Sequence, residues 1–216
     1  KREGGVEELF TELKIKMDYE SFCKLPRVPG YKSEYCDGEA VLVPRVKAVR
    51  LKYDLARTVQ FKPFTHPNKV IEISPLESGD WSLLTAPMLS AFATTQPFKT
   101  MEVGEATAGV EKCLARTRNG QDGELMLDAS IVARLEGNVV GAVIVTIVEE
   151  TPHLTWLFLE PRAQRRGWGT CLLQSVRSKL ASDWSFLHST ARSDNVGALL
   201  WHWKLGFEIL EVSGRI

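Results

Sequence analysis

An apolar segment, His153 to Leu159, runs through Glu160-Pro161-Arg162-Ala163 into Gln164-Arg165-Arg166-Gly167-Trp168-Gly169-Thr170. The chain then continues to Leu180 with Leu172, Leu173 and Val176 at helical spacing. Strand, glycine-rich turn and helix in this order restrict the chain to folds in which a helix opens at the end of a strand. They also make a site for an anion. Gly167 and Gly169 have no Cβ, so the backbone turns sharply and a ligand can approach it closely. The first-turn N–H groups point at that ligand, and the helix dipole favours negative charge there. Arg165 and Arg166 add positive charge beside these donors. Two common phosphate loops are excluded: there is no Gly-x-x-x-x-Gly-Lys-Ser/Thr, and no third glycine at dinucleotide spacing.

The rest of the chain supplies the partners such a unit needs. Its 216 residues are 44% hydrophobic, enough for one substantial core with a small appendage. Lys69–Ser74 reads as a strand. A helical segment follows from Asp80, with Trp81, Leu84, Met88 and Phe92 on one side and Pro87 set to kink or split it. Glu105–Thr117 reads as a second helix. Leu127–Leu135 and Val139–Val148 read as a hairpin, turned at Glu136-Gly137-Asn138 with Gly and Asn at positive φ. Val139–Val148 is apolar on both faces, which places helices on both sides of the sheet. Beyond the glycine turn, Phe186–Ala191 is a strand, Asn195–Lys204 a helix with Asp194 as its cap, and Phe207–Val212 a last strand.

The tract from Leu157 to Gly169 resembles motif A of the GNAT acyltransferase superfamily, a strand and a Pro followed by Arg/Gln-x-x-Gly-x-Gly/Ala opening a helix. Asn195-Val196-Gly197-Ala198-Leu199-Leu200-Trp201-His202-Trp203-Lys204-Leu205-Gly206-Phe207-Glu208 is similar to the family's closing motif. The resemblance covers residues 69–213. It implies a mixed α/β sheet with helices on both faces, and it does not explain residues 1–60. Those residues read as a small N-terminal α+β appendage, residues 61–68 as a linker holding Pro63 and Pro67, and residues 69–216 as the acyltransferase domain. The family completes a final hairpin after the sixth strand. Here the chain ends soon after Val212, so either the terminus is truncated or that strand comes from elsewhere.

The activity that the resemblance implies is transfer of an acetyl group from acetyl-CoA to an amine. Backbone groups of Leu157 and Leu159 would pair with the pantetheine arm. Gln164, Arg165, Arg166, Gly167, Trp168, Gly169 and Thr170 would hold the pyrophosphate, and Asn195 would orient backbone or ligand. Trp168 has two readings, packing at the helix start or stacking on the ligand. Alkylamines have pKa about 10, so a base must take a proton, and the oxyanion needs a donor, here assigned to the Leu159 N–H. The family's usual acid is a Tyr seven residues after the closing-motif Asn, a position held by His202 in this chain. A packing role beside Trp201 and Trp203 competes with an acid role. His153 falls where relatives keep a Glu or His base, and a strand-end surface histidine is the competing reading. Trp81, Met88, Phe92 and Trp156 are candidates for the acceptor site, with core packing as the alternative.

The acceptor is expected to be a small-molecule amine or a protein amine, and a homodimer stays open. The alternative reading is a coenzyme-A-binding regulatory module with little turnover. Charge balances, with 27 basic and 27 acidic residues, so no nucleic-acid partner is expected from bulk charge. Arg45, Lys47, Arg50 and Lys52 read as a solvated basic face. No apolar run reaches bilayer length, so no membrane is expected. Lys1–Gly5 do not read as a signal peptide. Cys23, Cys36, Cys113 and Cys171 are widely spaced, and His66, His153, His188 and His202 lack paired ligand spacing. That pattern suits reduced packing thiols, no metal and a cytoplasmic setting.

In the N-terminal region, residues 17–25 suit a short helix, and Asp37-Gly38 joins Tyr31–Cys36 to Glu39–Val43 as a hairpin. A third strand follows from Val46 to Tyr53. This order resembles the start of the Uma2-like endonucleases (Tyr-x-x-Phe, Leu-Pro, Asp-Gly-Glu), without a counterpart to their later acids.

Overall fold

The computed structural model describes residues 13–26, 31–56 and 71–213. The expected linker prolines, Pro63 and Pro67, lie outside them. Strands β1 (Leu13–Lys16), β2 (Tyr31–Cys36) and β3 (Glu39–Pro44) form a small antiparallel sheet in the order β1-β3-β2. The Asp37-Gly38 turn has φ of 50° and 80°, the pair of left-handed residues that the hairpin required. Helix α1 (Tyr19–Cys23) starts at Asp18, whose carboxylate accepts the Ser21 N–H at 2.7 Å. β1 was not foreseen, because Leu-Lys-Ile-Lys is too short a pattern to separate a strand from a loop.

The second sheet has eight strands. They are β4 (Ala48–Asp54), β5 (Ile71–Pro75), β6 (Glu124–Leu125), β7 (Ile131–Leu135), β8 (Asn138–Val148), β9 (Thr151–Leu159), β10 (Phe186–Arg192) and β11 (Glu208–Ser213). Their order is β11-β4-β10-β9-β8-β7-β5, with β6 on β8. β9 and β10 run parallel, and the other pairings in this sheet are antiparallel.

The placement of β4 corrects the expected domain limits. It belongs by sequence to the N-terminal segment, yet it lies between β10 and β11, with Leu187 opposite Tyr53 and Val212 opposite Val49. The expected division at residues 61–68 therefore does not separate the two sheets. The reason is amphipathic alternation. Val49, Leu51 and Tyr53 point to one face and are 3%, 3% and 1% exposed, so β4 needs a half-covered sheet to join.

Helices α2 (Thr85–Phe92) and α3 (Val103–Arg118) cover one face of the sheet. There Trp81, Leu84, Met88, Val110 and Leu114 pack on Val132, Ile144 and Phe158. Helices α4 (Trp168–Leu180) and α5 (Val196–Leu205) cover the other, where Leu172, Leu173, Val176 and Leu205 meet Val143, Leu154, Leu187 and the inward side chains of β4. Pro87 does not kink α2. It sits in the helix's first turn, where a missing N–H leaves no intrahelical bond unmade, and a short 3-10 turn at Trp81–Leu83 precedes it. At the β7–β8 turn the positive φ values fall on Glu136 and Gly137, while Asn138 opens β8 and its amide donates to the Glu136 carbonyl.

Candidate functional site

The turn between β9 and α4 has the geometry its residues required. Arg165 and Gly167 both have left-handed φ, 59° and 77°, and Gly167 is the N-cap of α4 with no side-chain cap. The Thr170 and Cys171 N–H groups close onto the Gly167 carbonyl, so the donors nearest the helix start, Trp168 and Gly169, open the first turn. The Gln164 side-chain amide donates to the Leu159 carbonyl at 2.7 Å and ties the turn to the strand. Trp168 packs in the core at 3% exposure. Its indole therefore cannot stack on a ligand, and only its main-chain N–H belongs to the turn. The Arg166 guanidinium lies 5.8 Å from that indole, while Arg165 is exposed. Asn195 caps α5, its side-chain oxygen accepting the Ala198 N–H at 3.1 Å, so it orients backbone. Asp194, expected as that cap, is instead held by Arg192 at 2.8 Å.

Beside this turn, β9 and β10 part. Their parallel register extends over two pairs, His188 with His153 and Ser189 with Leu154. Beyond Leu154, the edge of β9 opposite β8 meets no strand among the described residues. The Glu160 N–H donates to Val140 on β8 at 2.8 Å. Alternate residues of a strand face alternate edges, so the main-chain groups of Leu157 and Leu159 face the open gap. A bulge lies in the same strand: Ile144 pairs with Trp156 and Val145 with Leu154, leaving Thr155 as the extra residue. It turns Thr155 and Trp156 both toward the α3 side, where His153 also lies.

A cavity of about 740 Å³ opens at this end of the gap. It is walled by the end of α3 and the loop after it (Cys113, Arg116, Asp122), by Glu149 at the β8–β9 turn, and by His153, Trp156 and Thr190. Of the aromatic candidates for the acceptor site, Trp156 lines this cavity. Trp81 and Met88 are buried in the α2–α3 core, and Phe92 packs against it. Asp122 is held on both sides, by Arg116 at 2.7 Å and by the Thr117 hydroxyl at 2.7 Å, and Thr117 also accepts the Trp156 indole N–H at 2.9 Å. Arg50 of β4 reaches Glu149 at 2.8 Å and draws the N-terminal segment to the cavity rim. Sequence reasoning saw Arg50 only as part of a solvated basic face, because nothing local announced that β4 would enter this sheet.

His153 is half-buried at the cavity wall. Its Nε2 lies 3.1 Å from the Thr190 hydroxyl and its Nδ1 3.4 Å from the Thr155 hydroxyl. Burial, with the charges of His188 and Arg50 adding to it, pushes its pKa down to about 4, so the ring is neutral at physiological pH. His202 is placed otherwise. It is 6% exposed, and burial also pushes it down to about 4. Its Nδ1–H donates to the Ala198 carbonyl at 2.7 Å, so its Nε2 accepts from Ser189 at 3.0 Å. Both ring nitrogens are occupied inside the α5–β10 packing, with Trp201 and Phe207 edge-on to the ring. The expected acid role at His202 does not fit this geometry, since no nitrogen faces the gap.

Residues 127–209 match the acetyltransferase (GNAT) domain family. That stretch of the chain is a GNAT domain. The domain is a GNAT-type, acyl-CoA-dependent N-acyltransferase, and its sheet and helices agree with solved members of that fold. One is the PaiA N-acetyltransferase of Thermoplasma acidophilum, solved in complex with coenzyme A. It is 15% identical, with a TM-score of 0.54, covering 67% of this chain and 94% of that one. The GCN5-related N-acetyltransferase of Sphaerobacter thermophilus is 14% identical at a TM-score of 0.58. That likeness covers 93% of this chain, which spans 56% of the Sphaerobacter protein. Comparison with curated protein sequences finds no significant match. In the GNAT domain, the cavity lies at the His153 end of β9 and the glycine turn follows its other end.

Proposed function

We propose that the GNAT domain transfers an acetyl group from acetyl-CoA to a primary amine held in the cavity beside His153. The observation that carries this reading is the alignment of three parts along β9. The glycine turn offers N–H donors for a pyrophosphate, the Leu157–Leu159 edge faces the gap where an extended pantetheine can pair, and a neutral imidazole stands at the far end beside a cavity of about 740 Å³.

The chemistry divides among these parts. Arg165, Arg166 and the N–H groups of Gly167, Trp168 and Gly169 hold the pyrophosphate, with Gln164 fixing the Leu159 carbonyl beside them. The amine nitrogen attacks the thioester carbon, and the oxyanion forms against a gap-facing N–H. Leu157 suits this role better than Leu159, because it lies two residues nearer to His153 and the bulge. The new N–C bond acidifies the nitrogen, which loses a proton to His153. The C–S bond then breaks and the thiolate takes a proton from water. An imidazole with a pKa of about 4 is too weak to strip a free alkylammonium, so the acceptor reacts from its neutral fraction.

The experiment is titration calorimetry with acetyl-CoA, followed by thiol release across a panel of amines. Binding with turnover on at least one amine is the expected result. Binding without turnover on any of them would favour a coenzyme-A-binding module, and absence of binding would sink both readings.

A further inference from the structure

Resting on that reading, we infer that Thr146 and Thr155 are positioning residues that hold the proton of His153 on Nδ1 and keep Nε2 as the lone pair facing the cavity. The argument is one of donors and acceptors. The Asp122 main-chain carbonyl can only accept, so the Thr146 hydroxyl, 3.0 Å away, donates to it. A hydroxyl has one hydrogen. Toward Thr155, 2.8 Å away, Thr146 can then only accept, and the Thr155 hydroxyl donates to Thr146. The His153 carbonyl, 3.4 Å from the same hydroxyl, competes for that hydrogen only at the longer distance, so the Thr155 oxygen is left to accept from His153 Nδ1, at 3.4 Å. Nδ1 thus carries the hydrogen, and Nε2 takes a hydrogen from Thr190, a hydroxyl at the cavity wall that an acceptor amine can replace.

The fold builds this relay at three points. Thr146 stands directly opposite His153 in the β8–β9 register, and the bulge swings Thr155 to the same side. The start of the relay is anchored on α3, because Arg116 and Thr117 hold the Asp122 side chain while its carbonyl meets Thr146. Gly123 permits the approach. Its φ is 110°, and a Cβ there would stand 2.8 Å from the Thr146 hydroxyl oxygen and collide with the Ile147 carbonyl. Thr146 is fully buried, so its hydroxyl reads the loop after α3. The charged groups around the imidazole are His188 on β10, Arg50 on β4, Glu149 on the β8–β9 turn, and the paired Arg116 and Asp122. Among the described residues none of them hydrogen-bonds Nδ1, so the hydroxyl relay sets the tautomer.

The test uses the full chain labelled with nitrogen-15 at histidine, in the wild type and the T155V, T155S, T146V and H153Q variants. The wild type should show His153 protonated at Nδ1 and bare at Nε2. T155V and T146V should move the proton toward Nε2 and lower kcat about tenfold, the order expected of one positioning hydrogen bond, with KM for acetyl-CoA unchanged. T155S should restore both the tautomer and the rate. A wild-type His153 protonated at Nε2, or a T155V protein with an unaltered tautomer, would overturn the inference. H153Q separates the two ideas. If it keeps full turnover, the base assignment fails, while the nitrogen-15 spectrum still judges the relay.

Discussion

At the residue scale, two histidines at about the same pKa have opposite positions. His153 presents a nitrogen at a cavity wall, and His202 spends both of its nitrogens inside the packing of α5 on β10. H153Q is expected to lower kcat/KM for an alkylamine by ~100-fold or more, the usual worth of a positioned base, without weakening coenzyme A in calorimetry. Wild-type kcat/KM should climb roughly tenfold per pH unit below the amine's pKa, since the neutral fraction does so. His202→Ala should instead cost about 2–4 kcal/mol of stability, from lost packing and an unpaired Ser189, with coenzyme A affinity intact. Both rings also make stability depend on pH. Their folded values are depressed from 6.5 to about 4, so below pH 6.5 the unfolded chain takes up protons that the folded chain refuses. Stability is full above that value and falls as pH drops toward 4, by about 3 kcal/mol for each ring. Urea midpoints across this window check the slope, which His202→Ala should roughly halve. The sequence brought both histidines forward as candidates. It could not rank them, because burial and partners are set by residues dozens of positions away.

Among the elements, the β9–turn–α4 unit was the most legible. Its glycines, its arginines and the apolar runs on either side are local signals, and the backbone adopted the conformation they require. Gly169→Glu should abolish coenzyme A binding, because a carboxylate would enter the space meant for pyrophosphate. A methyl group there would already stand 3.4 Å from the Trp201 indole nitrogen. A folded Gly169→Glu protein that keeps its affinity for coenzyme A would remove this turn from the site. The β8–β9 hairpin was less legible. Its turn places two glutamates, Glu149 and Glu150, at φ of 50° and 57°, a conformation for which Glu is no signal. Without that turn the register could not be counted, and Thr146 could not be set opposite His153. The bulge at Thr155 is likewise silent in sequence, since an apolar strand with one extra residue reads as a longer strand.

On the scale of the whole molecule, β4 joins the N-terminal segment to the GNAT domain. Val49, Leu51, Tyr53 and Leu55 are all buried, and each contributes about 1.5–3 kcal/mol by burial. Together that is ~6–12 kcal/mol, comparable to the net stability of a typical domain. A fragment of residues 69–216, the domain as sequence motifs delimit it, should therefore lack a cooperative thermal transition by circular dichroism. A fragment that melts like the full chain would contradict this. Ser213 pairs with Ala48, so the end of β11 lies beside the start of β4. Appending residues 45–56 after the C-terminus through a short turn should restore the transition to the fragment.

What the sequence determined by itself was local or nearly so: the order of strands and helices from residue 71 onward except the two-residue β6, the N-terminal hairpin on Asp37-Gly38, and the glycine turn with its helix. Each follows from side-chain periodicity and from the backbone freedom of a few residues. Only the tertiary structure decided that β4 enters the large sheet, that His202 turns inward while His153 meets a cavity, and that Asp122, Thr146 and Thr155 converge on one imidazole. These outcomes depend on which amphipathic face finds which partner across long stretches of chain. That choice is made by burial summed over the whole core, and no short window of residues contains it.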